Sequence, residues 1–595
     1  MKKIIWLLIS YLMVLSLVLA SCAEEEEEEE IIPTEEEEII IPEEEEEVVV
    51  PPAEGNWWDY HGEPEYGGTL NWRLMGDISS WDPWRADDWS GLRAMYNEGL
   101  WGMNWTTDRK EMPLQGGYSD PFKQEFTICE SFEFPDDLTY IIHIRPGVYW
   151  QDKPPMNGRE FTADDLAYYW YRMGGLGGGF ESGTPYVFHK GYLDIESITV
   201  PDKYTIIFKT HYPVPGWWQW QHGPGGINMP REVVEQYGDL ADWKNAVGTG
   251  PFLLEDYVAG SSATYIRNPN YWGWDQRHPE KEIPYIDGVK FLIIPDQSTA
   301  YAALRTGKIF MVTGVPWEQA DSFEKTNPEL GQVPILGGGM AIAMRVDREP
   351  FTDINVRKAM NMAINHKELA ETYFGGRVEG KPYGIYGPST GPYYTPFEEW
   401  PEELQEGHSY NPAGARQLLA EAGYPNGFKT SLLVSSASDM DLPQILKGYY
   451  ADIGVDIEIE TVESTVFFSY VYMFHKHDQM VWGPYAPTAF GAGPPVMTYS
   501  SKWFMNPCMT VDPVFDEMVD REAIYHEGDP RKWEQDRAND MYALSKYWSV
   551  PTLPTVSYIL YQPWIRGYSE EYFGASGYIF ARLWIDHDLK RSMGH

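Results

Sequence analysis

Short apolar runs alternate with longer stretches of helical spacing along most of this chain. Tyr140-Ile141-Ile142-His143-Ile144 and Tyr204-Thr205-Ile206-Ile207-Phe208 are rich in β-branched and aromatic residues, which predicts strands. Val289–Ile294 and Val455–Ile459 carry the same signal. Helices are predicted over Ala163–Tyr171, with Thr162 as N-cap, and over Asn355–Ile364. Two more are predicted over Pro412–Ala422, stopped by Gly423, and over Trp533–Tyr547. Strands and helices interleave throughout, so the expected class is α/β. The globular part is too long for one core and is expected to divide into two or three lobes.

The N-terminus breaks this pattern. Lys2 and Lys3 precede an apolar stretch from Ile4 to Ala20, and Leu19-Ala20-Ser21-Cys22 follows. A charged start, an apolar centre and small residues before a cysteine have the form of a bacterial lipoprotein signal. The mature chain is expected to begin at a lipidated Cys22, outside the cytoplasmic membrane and anchored to it.

Residues 23–54 are almost entirely Glu, Ile, Val and Pro, with seven glutamates at 24–30, four at 35–38 and five at 43–47. Such a block repels itself and cannot bury a core, so an extended acidic linker is expected up to residue 59. The whole chain carries a net charge of −45. Phosphate contacts need Lys and Arg, so nucleic acid is excluded as a partner.

Chemistry-bearing motifs are scarce. No G-x-S-x-G, H-E-x-x-H, P-loop or C-x-x-C occurs. Gly174–Gly179 follows a predicted helix rather than a strand, so it reads as a loop and not as a nucleotide cradle. His475-Lys476-His477-Asp478 has metal-ligand residue types, but a polar loop is the simpler reading. Cys129 and Cys508 are expected to be two buried thiols, with one disulfide as the alternative. No enzyme activity, metal or cofactor is expected.

Several segments in order resemble the extracellular solute-binding proteins of ABC importers, in the oligopeptide/dipeptide/nickel-binding family (family 5). They are Tyr66-Gly67-Gly68-Thr69-Leu70, Trp81-Asp82-Pro83 and Glu98-Gly99-Leu100, then Thr139–Trp150 continuing to Asp165. Gly248-Thr249-Gly250-Pro251-Phe252, Arg267–Trp272, Pro350–Asn365, Asn411–Phe428 and Pro563–Tyr568 complete the set. The resemblance implies a two-lobed binding-protein fold with a third subdomain. Lobe 1 would comprise 60–103, 238–314 and a return at 547–595, with the extra subdomain at 104–237 and lobe 2 at 315–546. It also implies a monomer that closes on its solute by hinge motion and then docks on permease subunits.

The resemblance places Asp87, Tyr186 and Trp482 in the ligand cleft, with Tyr485 beside them. Peptide-binding members pair an aspartate after a tryptophan with the ligand's ammonium group. Here the segment reads Trp482-Gly483-Pro484-Tyr485 and lacks that aspartate. Trp217 and Trp218 sit in a dense aromatic cluster that suits either stacking on a ligand or packing between subdomains. A peptide is the expected solute and an oligosaccharide the alternative. An extracellular hydrolase and a purely structural surface protein are the rival classes.

Overall fold

The computed structural model describes residues 56–595 except 79, 86–90, 103, 108–124, 184–194, 212, 214–228, 437, 485–497, 503–504, 526–528 and 569–575. The expected signal, Cys22 and the acidic linker up to residue 55 therefore lie outside the described residues. In the described residues no helix is long and apolar enough to cross a membrane.

Strand β1 (Thr69–Leu74) opens the chain's first sheet. The chain then forms β2 (Cys129–Asp136), β3 (Thr139–Ile144), helix α1 (Ala163–Gly174), β4 (Ile195–Asp202) and β5 (Thr205–Thr210). It continues through β6 (Phe252–Val258), β7 (Ser262–Arg267), β8 (Gly288–Ile293), β9 (Met311–Val315) and β10 (Gly331–Met344). Helices α2 (Ile354–Met362) and α3 (Pro412–Glu421) precede β11 (Phe428–Ser435), β12 (Val455–Val462) and β13 (Met480–Pro484). Helix α4 (Pro530–Lys546) leads into β14 (Ser549–Tyr561).

Among the described residues these strands form three larger sheets. The first has the order β1-β8-β7-β6, with β1 parallel to β8. Its core gathers Trp72, Tyr265, Phe291, Phe580 and Trp584. The second is antiparallel throughout, β2-β3-β5-β4. Helix α1 packs on it through Leu166, Trp170 and Met173. The third is mixed and six-stranded, β9-β14-β10-β13-β11-β12. Neighbouring residues of its central strands alternate between two cores, as the pleat requires. Ile342, Met344, Leu432, Met480 and Trp482 face one side, and Ala341, Ala343, Leu433 and Val481 the other.

Local signals explain where the elements stop. Thr162 opens α1, and its backbone N–H donates to the Asp165 carboxylate at 2.9 Å, half of a capping box. Strand β3 ends before Arg145-Pro146-Gly147, where Gly147 takes φ +82°. Helix α4 begins earlier than its apolar spacing predicts. Asp529 caps it by accepting from the Arg531 N–H, and Pro530 occupies the first turn. Cys129 and Cys508 are free, buried thiols in different cores.

Candidate functional site

Two long strands tie the first and third sheets together. Val333, Ile335 and Ile559, from one half of the β10–β14 pair, belong to the core of the first sheet. Ile342, Met344, Val550 and Leu553, from the other half, belong to a core of the third. The antiparallel register runs from Gly331↔Tyr561 to Leu336↔Val556, slips at Gly339↔Pro554 and slips again before Ala341↔Pro551. Pro551 and Pro554 bring no N–H to the ladder there. Threonine hydroxyls supply donors instead: Thr552 Oγ1 donates to Met340 O at 2.6 Å, and Thr555 Oγ1 to Gly338 O at 3.0 Å. A glycine run facing prolines at an interrupted ladder is the place where such a ribbon bends with least loss.

Strand β14 falls inside 547–595, the stretch expected to return to lobe 1. Its first half packs in a core of the third sheet and its second half in the core of the first, so the ribbon is shared by both sheets.

The sequence-predicted residues cluster around gaps in the described chain. Asp87, Tyr186, Trp217, Trp218 and Tyr485 lie outside the described residues. The elements beside them are well held. Asp82, five residues before Asp87, receives both guanidinium nitrogens of Arg172 on α1, at 2.8 and 2.6 Å. It also accepts from Trp84 N at 3.0 Å and Leu240 N at 3.3 Å. Burial alone would raise the Asp82 pKa, but Arg172 and these N–H donors hold it below the ordinary carboxylate value.

Trp482 is described, and its ring is 2% exposed in the core with Met480 and Ile342. A ring so enclosed has little face left for a ligand. Its position on β13, opposite Ile342 of β10, makes it the packed base of the segment that carries Tyr485.

The shared sequence segments converge away from these gaps. Tyr271 Oη donates to Glu98 at 2.6 Å and Trp272 Nε1 to its other oxygen at 3.0 Å. Burial pushes the Glu98 pKa up to about 7 against these donors. Gln151 Nε2 donates to Gly250 O and Phe252 O, and Asn268 Nδ2 also donates to Gly250 O. A Cβ on Gly248 would sit 1.9 Å from Tyr96 O, so only glycine fits. These motifs knit the first two sheets together and offer no exposed chemistry. His477 likewise faces a backbone carbonyl, Pro507 O, at 2.8 Å, and burial lowers its pKa to about 4. The His475–Asp478 segment is thus a structural loop at that position.

Residues 126–506 match the family model for bacterial extracellular solute-binding proteins, family 5 (Middle). The chain belongs to family 5. Among family 5 relatives, the glutathione-binding protein GsiB of Escherichia coli (strain K12) is 26% identical over 394 residues. That match spans 65% of this chain and 68% of GsiB, and the Salmonella typhi GsiB matches to the same extent. The fold resembles the periplasmic binding protein DppA of Helicobacter pylori in complex with the peptide STSA, at TM-score 0.66 and 22% identity over 88% of this chain and 99% of that one. It also resembles AppA of Bacillus subtilis with a nonapeptide (TM-score 0.66, 18%, 88% and 100%) and AgaA of A. tumefacien R10 with agropinic acid (TM-score 0.67, 20%, 87% and 99%). The two-lobed α/β fold expected from the sequence is that of family 5. These relatives are solute-binding proteins rather than enzymes, and family 5 proteins act outside the cytoplasm with ABC importers.

Proposed function

We propose that this chain is a lipid-anchored receptor that captures a peptide-like solute between its lobes and delivers it to an ABC permease by hinge closure. The β10–β14 ribbon carries this reading, because it runs from one core to the other through a ladder interrupted at Gly339 and Pro554. Closure needs a ligand that touches both lobes only when they are shut. The proposed contacts are Asp87, Tyr186, Trp217, Trp218 and Tyr485, with Trp482 seating the segment of Tyr485. Peptide ligands of several relatives support the solute class, namely glutathione for GsiB, STSA for DppA and a nonapeptide for AppA. The Cys22 signal supports the anchor. The full mature chain acts as a monomer in this scheme.

An oligosaccharide is the second reading, favoured by the Trp217–Trp220 cluster and by the missing aspartate after Trp482. A thermal-shift screen with short peptides, N-acetylated peptides, and cello- and xylo-oligosaccharides separates the two. A ligand at 100 times its Kd stabilises by about 2.7 kcal/mol. A shift with peptides is expected. A shift with sugars alone overturns the peptide assignment, and turnover of any panel member overturns the receptor reading.

A further inference from the structure

We propose that Glu63, His278 and Glu280 form a binding site for one divalent cation of the Zn²⁺ class, which ties the segment 56–66 to the turn at 278–281. One ligand atom from each of these residues lies within 4.8 Å of the other two. The two carboxylates are exposed, while His278 is 9% exposed, with its ring edge-on to Trp584 at 5.9 Å. Among the described residues no hydrogen bond reaches that ring. A buried imidazole beside two acids, bonded to neither, leaves a gap of the size that a shared cation fills.

The turn that presents two of the ligands is built beforehand. Asp275 and Arg277 form a fully buried ion pair at 3.0 Å. His278 N donates to Asp275 O, and Lys281 N donates to His278 O, closing the turn around Pro279. The third ligand comes from a segment docked alongside. Tyr66 Oη donates to Glu282 O at 2.9 Å, and Gly67 N donates to Tyr285 O at 2.9 Å. Lys281 Nζ reaches Glu63 Oε2 at 2.8 Å and Pro64 O at 3.3 Å. That contact holds Glu63 beside the turn through Oε2.

The donor set selects the metal class. One imidazole nitrogen with two carboxylate oxygens suits Zn²⁺ and its borderline neighbours, at about 2.0–2.2 Å per bond with water in the open position. Ca²⁺ takes roughly six to eight oxygens, which this set does not supply. The side chains of Glu63 and Glu280 are exposed, and small rotations bring their oxygens the last fraction of an ångström inward. The cation is structural here and distinct from the transported solute.

The test is competition of the full mature chain against a chromophoric chelator, with ZnCl₂ as the probe. Wild type should bind Zn²⁺ with micromolar Kd, and Glu280→Gln and Glu63→Gln should each weaken that binding at least tenfold with unchanged circular dichroism. Zn²⁺ should also slow limited proteolysis of residues 56–66 in wild type and not in Glu280→Gln. The exposed Glu280 makes that variant safe for folding. Equal Kd in wild type and Glu280→Gln would locate any bound ion elsewhere, the glutamate runs included, and would overturn the site. So would the absence of binding.

Discussion

Asp82 and Arg172 form a two-pronged ion pair with almost no exposure on either side, joining the chain just ahead of Asp87 to helix α1 on the antiparallel sheet. Removing one partner leaves the other charge buried and unpaired, which costs about 3–5 kcal/mol. Arg172→Met should lose that much stability in chemical denaturation, and Asp82→Leu/Arg172→Leu should lose less than the two single changes summed. Because the Asp82 pKa lies below its ordinary value, the pair's contribution is intact above the usual carboxylate range and is lost as pH falls below that range through the lowered folded-state value. A single-variant loss under about 1 kcal/mol would contradict this assignment.

Glu98 has the opposite sign. Burial raises its pKa from 4.5 to about 7, so the unfolded chain releases this proton before the folded one does. Its contribution to stability is full below about pH 4.5 and is lost as pH rises through 7, at most about 3 kcal/mol in all. Glu98→Gln removes this titration. The melting temperature of the variant relative to wild type should therefore climb between pH 5 and pH 8. A constant difference would show that Glu98 is ionised throughout.

At the ribbon, Gly339 and Tyr383 leave no room for a methyl group. A Cβ at Gly339 would fall 1.2 Å from Tyr383 Oη and 2.9 Å from Leu553 O. Gly339→Ala should cost about 1–3 kcal/mol by overpacking. Adding Tyr383→Phe removes the nearest atom and should recover part of the loss in a double-mutant cycle. Simple additivity of the two changes would place the strain elsewhere.

Cys129 and Cys508 should be inert in the folded protein. Burial pushes each thiol up to about 12, so neither offers a thiolate at neutral pH. A thiol-reactive chromophore should label neither residue natively and both in denaturant, and the melting temperature should not change on adding reductant. Native labelling would expose an opening of one of these cores.

Elements whose determinants are local were legible from the chain alone. Tyr140–Ile144 lies within β3 and Val455–Ile459 within β12, and α1 starts where Thr162 and Asp165 cap it. Helix α3 ends just before Gly423 at φ +94°. The ribbon was not legible, because Thr552 and Met340 meet across 212 residues, and glycine and proline runs read in isolation as turns. The same separation hid Glu63 from His278 and Glu280. Trp482 stood out as an aromatic position that the family resemblance places in the ligand cleft. That its ring faces the core follows from the pleat of β13 against β10, a relationship between distant strands.

The position of β14 in the third sheet has a consequence for the order in which the protein is made. This strand lies between β9 and β10, and it supplies Val550 and Leu553 to one core and Ile559 to another. A chain emerging from its N-terminus lacks Val550 and Leu553 of one core and Ile559 of the other until this strand has appeared, and the second of these cores also waits for residues up to Ile585. Because these late contacts span hundreds of residues, assembly is slow compared with local helix formation. The antiparallel sheet's core, built from Leu100 to Val247, can close early, whereas the other two wait for this one strand, and a stop before residue 549 would leave both of those open together.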